Sequence, residues 1–170
     1  GVQIGSFTIN DDSSAFIIAE IGINHNGSLT LAKQLVDQVI WAGADCAKFQ
    51  MRDMQALYHN TGDPDDIRED LGSQYVLDVL AHAQLSREEM FEIFNYCRAK
   101  GIMPLCTPWD LVSVGVLEDY GVEAYKIASA DLTNHDLIKA IAKTGKPMLV
   151  STGMSTEQEI SETVTVLKSS

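Results

Sequence analysis

The chain has 170 residues, of which 45% are hydrophobic and 21% charged, which is typical of one globular domain and excludes a disordered or collagen-like chain. Twelve Lys and Arg residues against 24 Asp and Glu residues give a formal net charge of −12, so we expect no nucleic-acid partner. An anionic substrate would need a local cationic pocket.

Cys46, Cys97 and Cys106 lie in apolar segments, which predicts buried, reduced thiols rather than a disulfide framework or a metal site. No apolar run approaches the roughly 18 residues that a membrane span needs. No basic region followed by an apolar stretch opens the chain, so no secretory signal is visible. We therefore expect a cytoplasmic protein without a membrane partner.

The N-terminal part alternates strand and helix signals. Residues 1–10 alternate apolar and polar and end in a turn, which predicts a short strand or half of a hairpin. The apolar run at 16–22 predicts a strand covered on both faces. Ser28 is a candidate N-cap for a helix that reaches about Ala42, and residues 45–50 predict the next strand.

The rest of the chain repeats a unit of helix, glycine and strand. Helices are predicted after a capping box at 86–89, near 110–119, near 135–143 and after 155–158, and strands at 102–106, 123–128 and 147–150. Such βα repeats predict parallel strands with right-handed crossovers. Five units fit either a complete doubly wound sheet or five-eighths of a (β/α)8 barrel.

The segment 53–73 interrupts this repeat. It follows a strand, where loops of α/β proteins often carry function. We predict a solvated acidic loop, with a lid or substrate loop as the alternative. Its acidic residues are Asp53, Asp63, Asp65, Asp66, Glu69 and Asp70.

Polar side chains gather where all five predicted strands end, which predicts a site at one rim of the fold. Two lysines and several hydroxyls there suggest binding of a phosphate or carboxylate, although each residue taken singly also fits a cap or turn role. In a doubly wound sheet these polar side chains would press into the helices, whereas in a barrel they would point into the lumen, which suits polar groups better. The set is Glu20, Asn24, His25, Lys48, Gln50, Thr107, Asp110, Lys126, Ser129, Asp131, Ser151, Thr152 and Gly153.

The histidines offer little more. His25 lies in N-H-N-G and is a turn residue or a site residue, whereas His59, His82 and His135 read as surface residues. Paired metal-ligand spacing does not occur, so we expect no metal site within this span.

Five motifs resemble the sialic acid synthase family: A-E-I-G-I-N-H-N-G at 19–27, K-F-Q at 48–50, T-P-W-D at 107–110, K-I-A-S at 126–129 and S-T-G-M-S at 151–155. They occur in order on five successive predicted strands and cover essentially the whole chain. Enzymes of this family condense phosphoenolpyruvate with an N-acylated amino sugar and release phosphate by C–O cleavage. The resemblance implies an α/β (β/α)8 TIM barrel, with about five of its eight βα units in residues 1–170.

The resemblance also implies residue roles. Asp131 stands where the family has a catalytic glutamate and is one methylene shorter, and Glu20 matches a carboxylate that contacts the amino sugar. Phosphoenolpyruvate would bind to Lys48, Thr107, Lys126, Ser129 and Ser151, the sugar to Glu20 and Gln50, and catalysis would use Asp131 and Glu20.

Further parts of the enzyme are expected beyond residue 170. These are the remaining barrel units, two histidines that bind a divalent Mn or Mg ion, and an antifreeze-like domain that helps to close the sugar site across a homodimer. Residues 1–170 would then be the N-terminal portion of a single barrel domain.

Two other functions remain open. Lys126, with a serine and an aspartate nearby, also suits a Schiff-base aldolase or lyase of class I. The chain also fits a non-catalytic, sugar-binding α/β module.

Overall fold

The computed structural model describes residues 1–57 and 71–170, with only the backbone described at 71–75. Of the acidic segment 53–73, Asp53 lies among the described residues. The other acidic residues of the predicted loop, and His59, lie outside them, so the choice between a solvated loop and a lid stays open.

A short antiparallel hairpin precedes the βα units. Its strands are β1 (Val2–Ile4) and β2 (Phe7–Ile9), with Val2 opposite Ile9. The parallel strands that follow are β3 (Ile18–Gly22), β4 (Cys46–Met51), β5 (Met103–Pro108), β6 (Tyr125–Ile127) and β7 (Met148–Val150). The helices are α1 (Leu29–Trp41), α2 (Met54–Leu57), α3 (Leu71–His82), α4 (Arg87–Ala99), α5 (Leu111–Tyr120), α6 (His135–Ala142) and α7 (Glu157–Lys168), with a 3₁₀ turn at Ser129–Asp131.

The strands lie in chain order. One parallel sheet has the order β3-β4-β5, a second pairs β6 with β7, and β5 contacts β6. A doubly wound sheet with strand order 2-1-3-4-5 would have placed β3 between β4 and β5. Since β4 occupies that central position, the parallel α/β prediction is confirmed and the doubly wound alternative is wrong.

The helices cover one face of these strands. Buried side chains of β4 to β6 on that face, among them Phe49, Cys106 and Tyr125, pack with Val36 of α1 and Phe94 of α4 in one apolar cluster. Alternation along a strand turns every second side chain to the opposite face. The strand predicted at 16–22 to be covered on both faces is Ile18–Gly22, with Ala19 and Ile21 packed against the helices and Glu20 on the opposite face.

The N-terminal hairpin covers the opposite face at the amino ends of the strands. Ile4 of β1 forms a second buried cluster with Cys46, Leu105 and Ala124, one residue from each of β4, β5 and the segment entering β6. The residues that share this face toward the carboxyl ends are polar. They are Glu20, Lys48, Gln50, Thr107 and Lys126.

Local capping explains most helix boundaries. Ser86 and Glu89 form the predicted capping box of α4, and Asp110 is the N-cap of α5, where its side chain accepts from the Ser113 N–H. The box of α7 uses Thr156 and Glu159, one residue later than predicted. The helix α3 was not predicted; Val76 and Val79 on it are 53% and 45% exposed.

All three cysteines are free and buried, as predicted. Burial raises the pKa of the Cys46 and Cys97 thiols to about 12, so both stay protonated and unreactive at neutral pH. Within the described ranges, the helices are too short or too polar to cross a membrane.

Replacing Gly27 by Ala should destabilise the fold more than replacing Gly43 by Ala. Both glycines have left-handed φ angles, +75° and +76°, which cost an L-residue roughly 1–2 kcal/mol. A Cβ at Gly43 meets open space, whereas one at Gly27 would overlap the His82 carbonyl oxygen. Denaturant unfolding of the two variants measures the difference, and equal losses would show that this turn does not pack closely on the end of α3.

Candidate functional site

Lys48 forms the centre of the polar face. Its Nζ lies 2.5 Å from Glu20 Oε2 and donates to Thr107 Oγ1 at 3.2 Å. The Lys48 side chain is 9% exposed and that of Glu20 is 50% exposed, so the pair has one buried cation and one carboxylate open to solvent. A buried ammonium needs such partners. The register that pairs Glu20 with Lys48 sets this contact.

Lys126 adds a second cation to the same face. It is partly buried and its Nζ donates to the Ile127 carbonyl at 2.5 Å. Burial, and then the nearby Lys48, lower the pKa of Lys126, against the opposing effect of Glu20. Glu20 pairs with Lys48, and Lys126 adds a second positive charge nearby, so these three side chains carry a net positive charge within a strongly acidic protein.

Gly22 makes room beside this pair. The register between β3 and β4 shifts between Glu20 and Gly22, and Gly22 has a φ of +58°. A Cβ there would lie 2.9 Å from Glu20 Oε1 and 3.3 Å from Gln50 Nε2. The glycine thus lets the Glu20 carboxylate and the Gln50 amide converge.

Asp131 lies at the end of the 3₁₀ turn that follows β6. Its Oδ1 accepts from Asn134 Nδ2 at 3.2 Å, whereas its Oδ2 is buried and accepts no hydrogen bond from the described residues. Burial raises the pKa of this carboxyl, Asn134 and Arg52 lower it, and Asp110 raises it. Such a buried oxygen is suited to accept a proton, or a hydrogen bond from a hydroxyl group of a substrate.

Arg52 and Trp109 are site residues that the sequence did not reveal. The Arg52 guanidinium carbon lies 4.2 Å from the centroid of the Trp109 ring, and Nη1 donates to Gln50 Oε1 at 2.9 Å. Arg52 follows Gln50 by two residues, and residues two apart along a strand share a face. That spacing could have indicated that Arg52 lies beside Gln50. Asp110, predicted only as a rim residue, caps α5 and accepts from the Asp53 N–H at 2.8 Å.

The predicted serines lie at the same edge. Ser129 opens the turn after β6, and Ser151 follows β7, with its N–H donating to the Ile127 carbonyl at 3.2 Å. Thr152 and Gly153 are exposed just beyond, and a Cβ at Gly153 would meet open space. The capping box of α7 already occupies part of the first N–H groups of that helix, so its N-terminus is a weak anion site.

His25 is buried in the turn after β3. It is 1% exposed, and its Nδ1 accepts from the Gly27 N–H at 3.1 Å, in the turn that packs under the residues after α3. Burial lowers the pKa of His25, with Glu89 raising it, so the ring is neutral at pH 7. Asn24 beside it is exposed, as is His82, whereas His135 is partly buried, contrary to the surface position predicted for it.

Most of the predicted residues therefore meet in two linked groups. Glu20, Lys48, Thr107 and Lys126 form a cationic group suited to an anion with phosphate and carboxylate parts. Arg52, Asp110 and Asp131 form a second group. Gln50 joins them, since it pairs in register with Thr107 and accepts from Arg52.

The residues of this edge do not by themselves form a metal site. Within residues 1–57 and 71–170, no three His, Cys, Asp or Glu side chains are grouped so as to hold a metal ion. The Glu20 carboxylate is already paired with Lys48.

Comparison with known proteins identifies the family to which the chain is similar. The model of the NeuB family matches residues 35–170. An uncharacterized protein of Methanocaldococcus jannaschii is 41% identical over 98% of this chain and 46% of its own length. The N,N'-diacetyllegionaminic acid synthase of Campylobacter jejuni is 35% identical over 89% of this chain and 46% of its own length.

A solved structure agrees with these matches. The N-acetylneuraminic acid (sialic acid) synthetase of Leptospira borgpetersenii, in complex with citrate, superposes with a TM-score of 0.86 and 28% identity over 99% of this chain and 55% of that chain. The present chain spans about half the length of the curated relatives it matches.

Proposed function

The chain belongs to the NeuB family, and we propose that it carries the phosphoenolpyruvate site of a nonulosonic (sialic) acid synthase. The observation that carries this proposal is the ion pair of the buried Lys48 with Glu20, together with a second, partly buried lysine, Lys126, on the same polar face of the strands. Phosphoenolpyruvate carries up to three negative charges, and an acidic protein needs such a local site to hold it. Hydroxyls of Thr107, Ser129 and Ser151 lie at the same edge for its phosphate or carboxylate oxygens.

The reaction proposed for this site forms one C–C bond and breaks one C–O bond. C3 of phosphoenolpyruvate attacks the aldehyde carbon of the open-chain amino sugar, and the aldehyde oxygen gains a proton. Water adds to the electron-deficient C2 and gives up a proton, and the tetrahedral centre then expels phosphate as the C2–O bond breaks. The products are a 2-keto acid and inorganic phosphate.

The described side chains supply charge and proton transfer for these steps. The lysines hold the anion in place and neutralise the departing phosphate. Asp131, with its unoccupied acceptor oxygen, stabilises the developing positive charge at C2 or accepts the proton of the adding water. Glu20 and Gln50 accept and donate hydrogen bonds to the sugar hydroxyls from the open side of the pocket. The divalent metal expected from the family would polarise the aldehyde, with ligands outside this span.

We also propose that these strands are five of the eight in a closed barrel. This proposal is supported by the two unlike faces of the parallel strands. The helices pack on one face, and the hairpin and the polar side chains lie on the other. A barrel interior closed by the hairpin at its amino end leaves the carboxyl edge as the entrance. The remaining units, the metal ligands, the antifreeze-like domain and the homodimer belong to the same proposal.

The direct test is a product assay. The full-length protein, phosphoenolpyruvate, Mn²⁺ or Mg²⁺ and a panel of N-acylated amino sugars with and without a phosphate should yield a 2-keto sugar acid and one equivalent of phosphate. The relatives named above are named for different acids, so the panel also identifies the acceptor. Phosphate release with every panel sugar absent, or no product with any, would overturn the proposal.

One observation favours a second function. Burial and a neighbouring cation lower the pKa of Lys126, which is how Schiff-base lysines are activated. Borohydride reduction in the presence of pyruvate would then attach the keto acid to Lys126. We expect no adduct by mass spectrometry.

The pH dependence of phosphoenolpyruvate use should report Lys126. The protonated ammonium binds the anion, so kcat/KM for phosphoenolpyruvate falls as pH rises through the pKa of Lys126 in the free enzyme, below the ordinary lysine value of about 10.4. The bound anion favours the charged form, so the limb in kcat should lie at higher pH. In Lys126→Arg this limb should disappear, and an unchanged limb would assign it to another group.

A further inference from the structure

Gly22 is the last residue of β3 and is buried. Its φ of +58° accompanies the register shift between Glu20 and Gly22. A Cβ at this position would lie 2.9 Å from Glu20 Oε1 and 3.3 Å from Gln50 Nε2, so the Glu20 carboxylate would have to move if Gly22 carried a side chain. The position of this carboxylate therefore depends on the missing side chain.

Neighbouring side chains fix which atoms of Glu20 and Gln50 face Gly22. Glu20 Oε2 pairs with Lys48, which leaves Oε1 as the carboxylate oxygen beside Gly22. Arg52 Nη1 donates to Gln50 Oε1 at 2.9 Å, and a guanidinium can only donate, so the amide nitrogen of Gln50 is the atom turned toward Gly22. The space over Gly22 thus has a hydrogen-bond acceptor on one side and a donor on the other.

This space fits a single hydroxyl group. Glu20 Oε1 and Gln50 Nε2 both lie within 3.3 Å of one point, so they are at most about 6 Å apart. One oxygen at about 2.5–3.2 Å from each atom bridges such a separation, and a hydroxyl can donate to the carboxylate while it accepts from the amide. A phosphate oxygen would be repelled by the carboxylate, and a trans N-acyl amide points its N–H and its carbonyl in opposite directions.

We propose that Gly22 is a specificity-determining residue, a role that rests on the proposed function. Its missing side chain leaves room for one hydroxyl of the amino sugar, which donates to Glu20 Oε1 and accepts from Gln50 Nε2. The Glu20 side chain is 50% exposed, so a sugar can reach this space from solvent. The site then selects a sugar with a hydroxyl at this position over one with a hydrogen or an N-acyl group there.

The test combines Gly22→Ala with a series of monodeoxy sugars in the full-length protein. Each member of the series lacks one hydroxyl of the amino sugar that the product assay identifies. Gly43→Ala is the matched control, because Gly43 has a left-handed φ of +76° and a Cβ there meets nothing within 4 Å. Steady-state kinetics at saturating phosphoenolpyruvate give kcat/KM for each sugar, and equilibrium titration gives the dissociation constant of phosphoenolpyruvate.

Gly22→Ala should lower kcat/KM for the complete sugar by roughly 10- to 150-fold, the loss expected when a hydrogen bond to a charged group is removed. One deoxy sugar should lose a similar factor with the wild type and no more with Gly22→Ala, because the hydroxyl and its space form one interaction. The dissociation constant of phosphoenolpyruvate should stay within about threefold, since Lys48 is held by the other Glu20 oxygen and by Thr107. Gly43→Ala should change neither quantity.

Gln50→Leu measures the same hydroxyl independently. It removes the Nε2 donor and leaves the backbone of β3 unaltered, so it can be used even if Gly22→Ala fails to fold. The deoxy sugar that loses nothing further with Gly22→Ala should also lose nothing further with Gln50→Leu.

A folded Gly22→Ala variant that keeps the wild-type kcat/KM, or whose loss adds in full to that of every deoxy sugar, would overturn this inference and leave the proposed function standing. If Gly22→Ala does not fold, full additivity in Gln50→Leu has the same meaning. An equal loss in Gly43→Ala would assign the effect to backbone strain and would also overturn the inference. A wild type that forms no product with any sugar would overturn the proposed function itself, and this inference with it.

Discussion

Lys48→Ala and Lys126→Ala should each weaken phosphoenolpyruvate use by roughly 10- to 150-fold in kcat/KM. Each lysine faces an anion of up to three charges in a partly dehydrated pocket, and loss of one charged hydrogen bond there costs roughly 1.5–3 kcal/mol. Lys48 is 9% exposed on its side chain, so bulk water cannot easily replace it.

Lys33→Ala is the control for this effect. Lys33 lies on α1 and pairs with Glu92 at 2.5 Å, the same Nζ-to-carboxylate distance as in the pair of Lys48 and Glu20. It should leave kcat/KM unchanged, because it faces away from the strands. If Lys126→Ala leaves the KM for phosphoenolpyruvate unaltered, the anion pocket has been placed wrongly.

Asp131→Asn should lower kcat by roughly 10²- to 10⁴-fold, the usual contribution of a positioned acid–base group. The dissociation constant of phosphoenolpyruvate should stay the same or fall slightly, because the variant removes a negative charge from the neighbourhood of an anion. A loss of kcat without a loss of affinity distinguishes Asp131 from the lysines, whose replacement should mainly weaken phosphoenolpyruvate binding.

Asp37→Asn serves as the matched control for Asp131. Asp37 lies on α1, where it accepts from Tyr96 at 2.9 Å, outside the polar face. Rapid-quench and steady-state kinetics give kcat, and equilibrium titration gives the affinity for phosphoenolpyruvate. Full kcat in Asp131→Asn would make this carboxylate structural.

Much of the fold was predictable because its signals are local. Capping residues such as Ser86 and Asp110, glycine C-caps such as Gly121, and runs of apolar residues lie within one turn or strand of the element they define. The doubly wound and barrel arrangements share those signals. Only strand order, set by tertiary packing, separates them, and β4 lies between β3 and β5.

The sequence predicted which residues lie at the site better than it predicted the contacts between them. Alternation along β4 placed Lys48 and Gln50 on one face, but the ion pair of Lys48 with Glu20 depends on the register between β3 and β4, which a single sequence does not give. The stack of Arg52 on Trp109 joins residues 57 positions apart, and no spacing rule in a single sequence connects them.

The fate of the bridging oxygen tests the central claim most directly. Phosphoenolpyruvate labelled with ¹⁸O between C2 and phosphorus is incubated with the full-length protein, a metal ion and the acceptor sugar found in the panel. C–O cleavage sends the label into inorganic phosphate, which mass spectrometry detects as a gain of two mass units, and Lys126→Ala should slow its appearance. Unlabelled phosphate would show cleavage of the P–O bond, and would contradict a site in which these lysines hold the anion for condensation at C3.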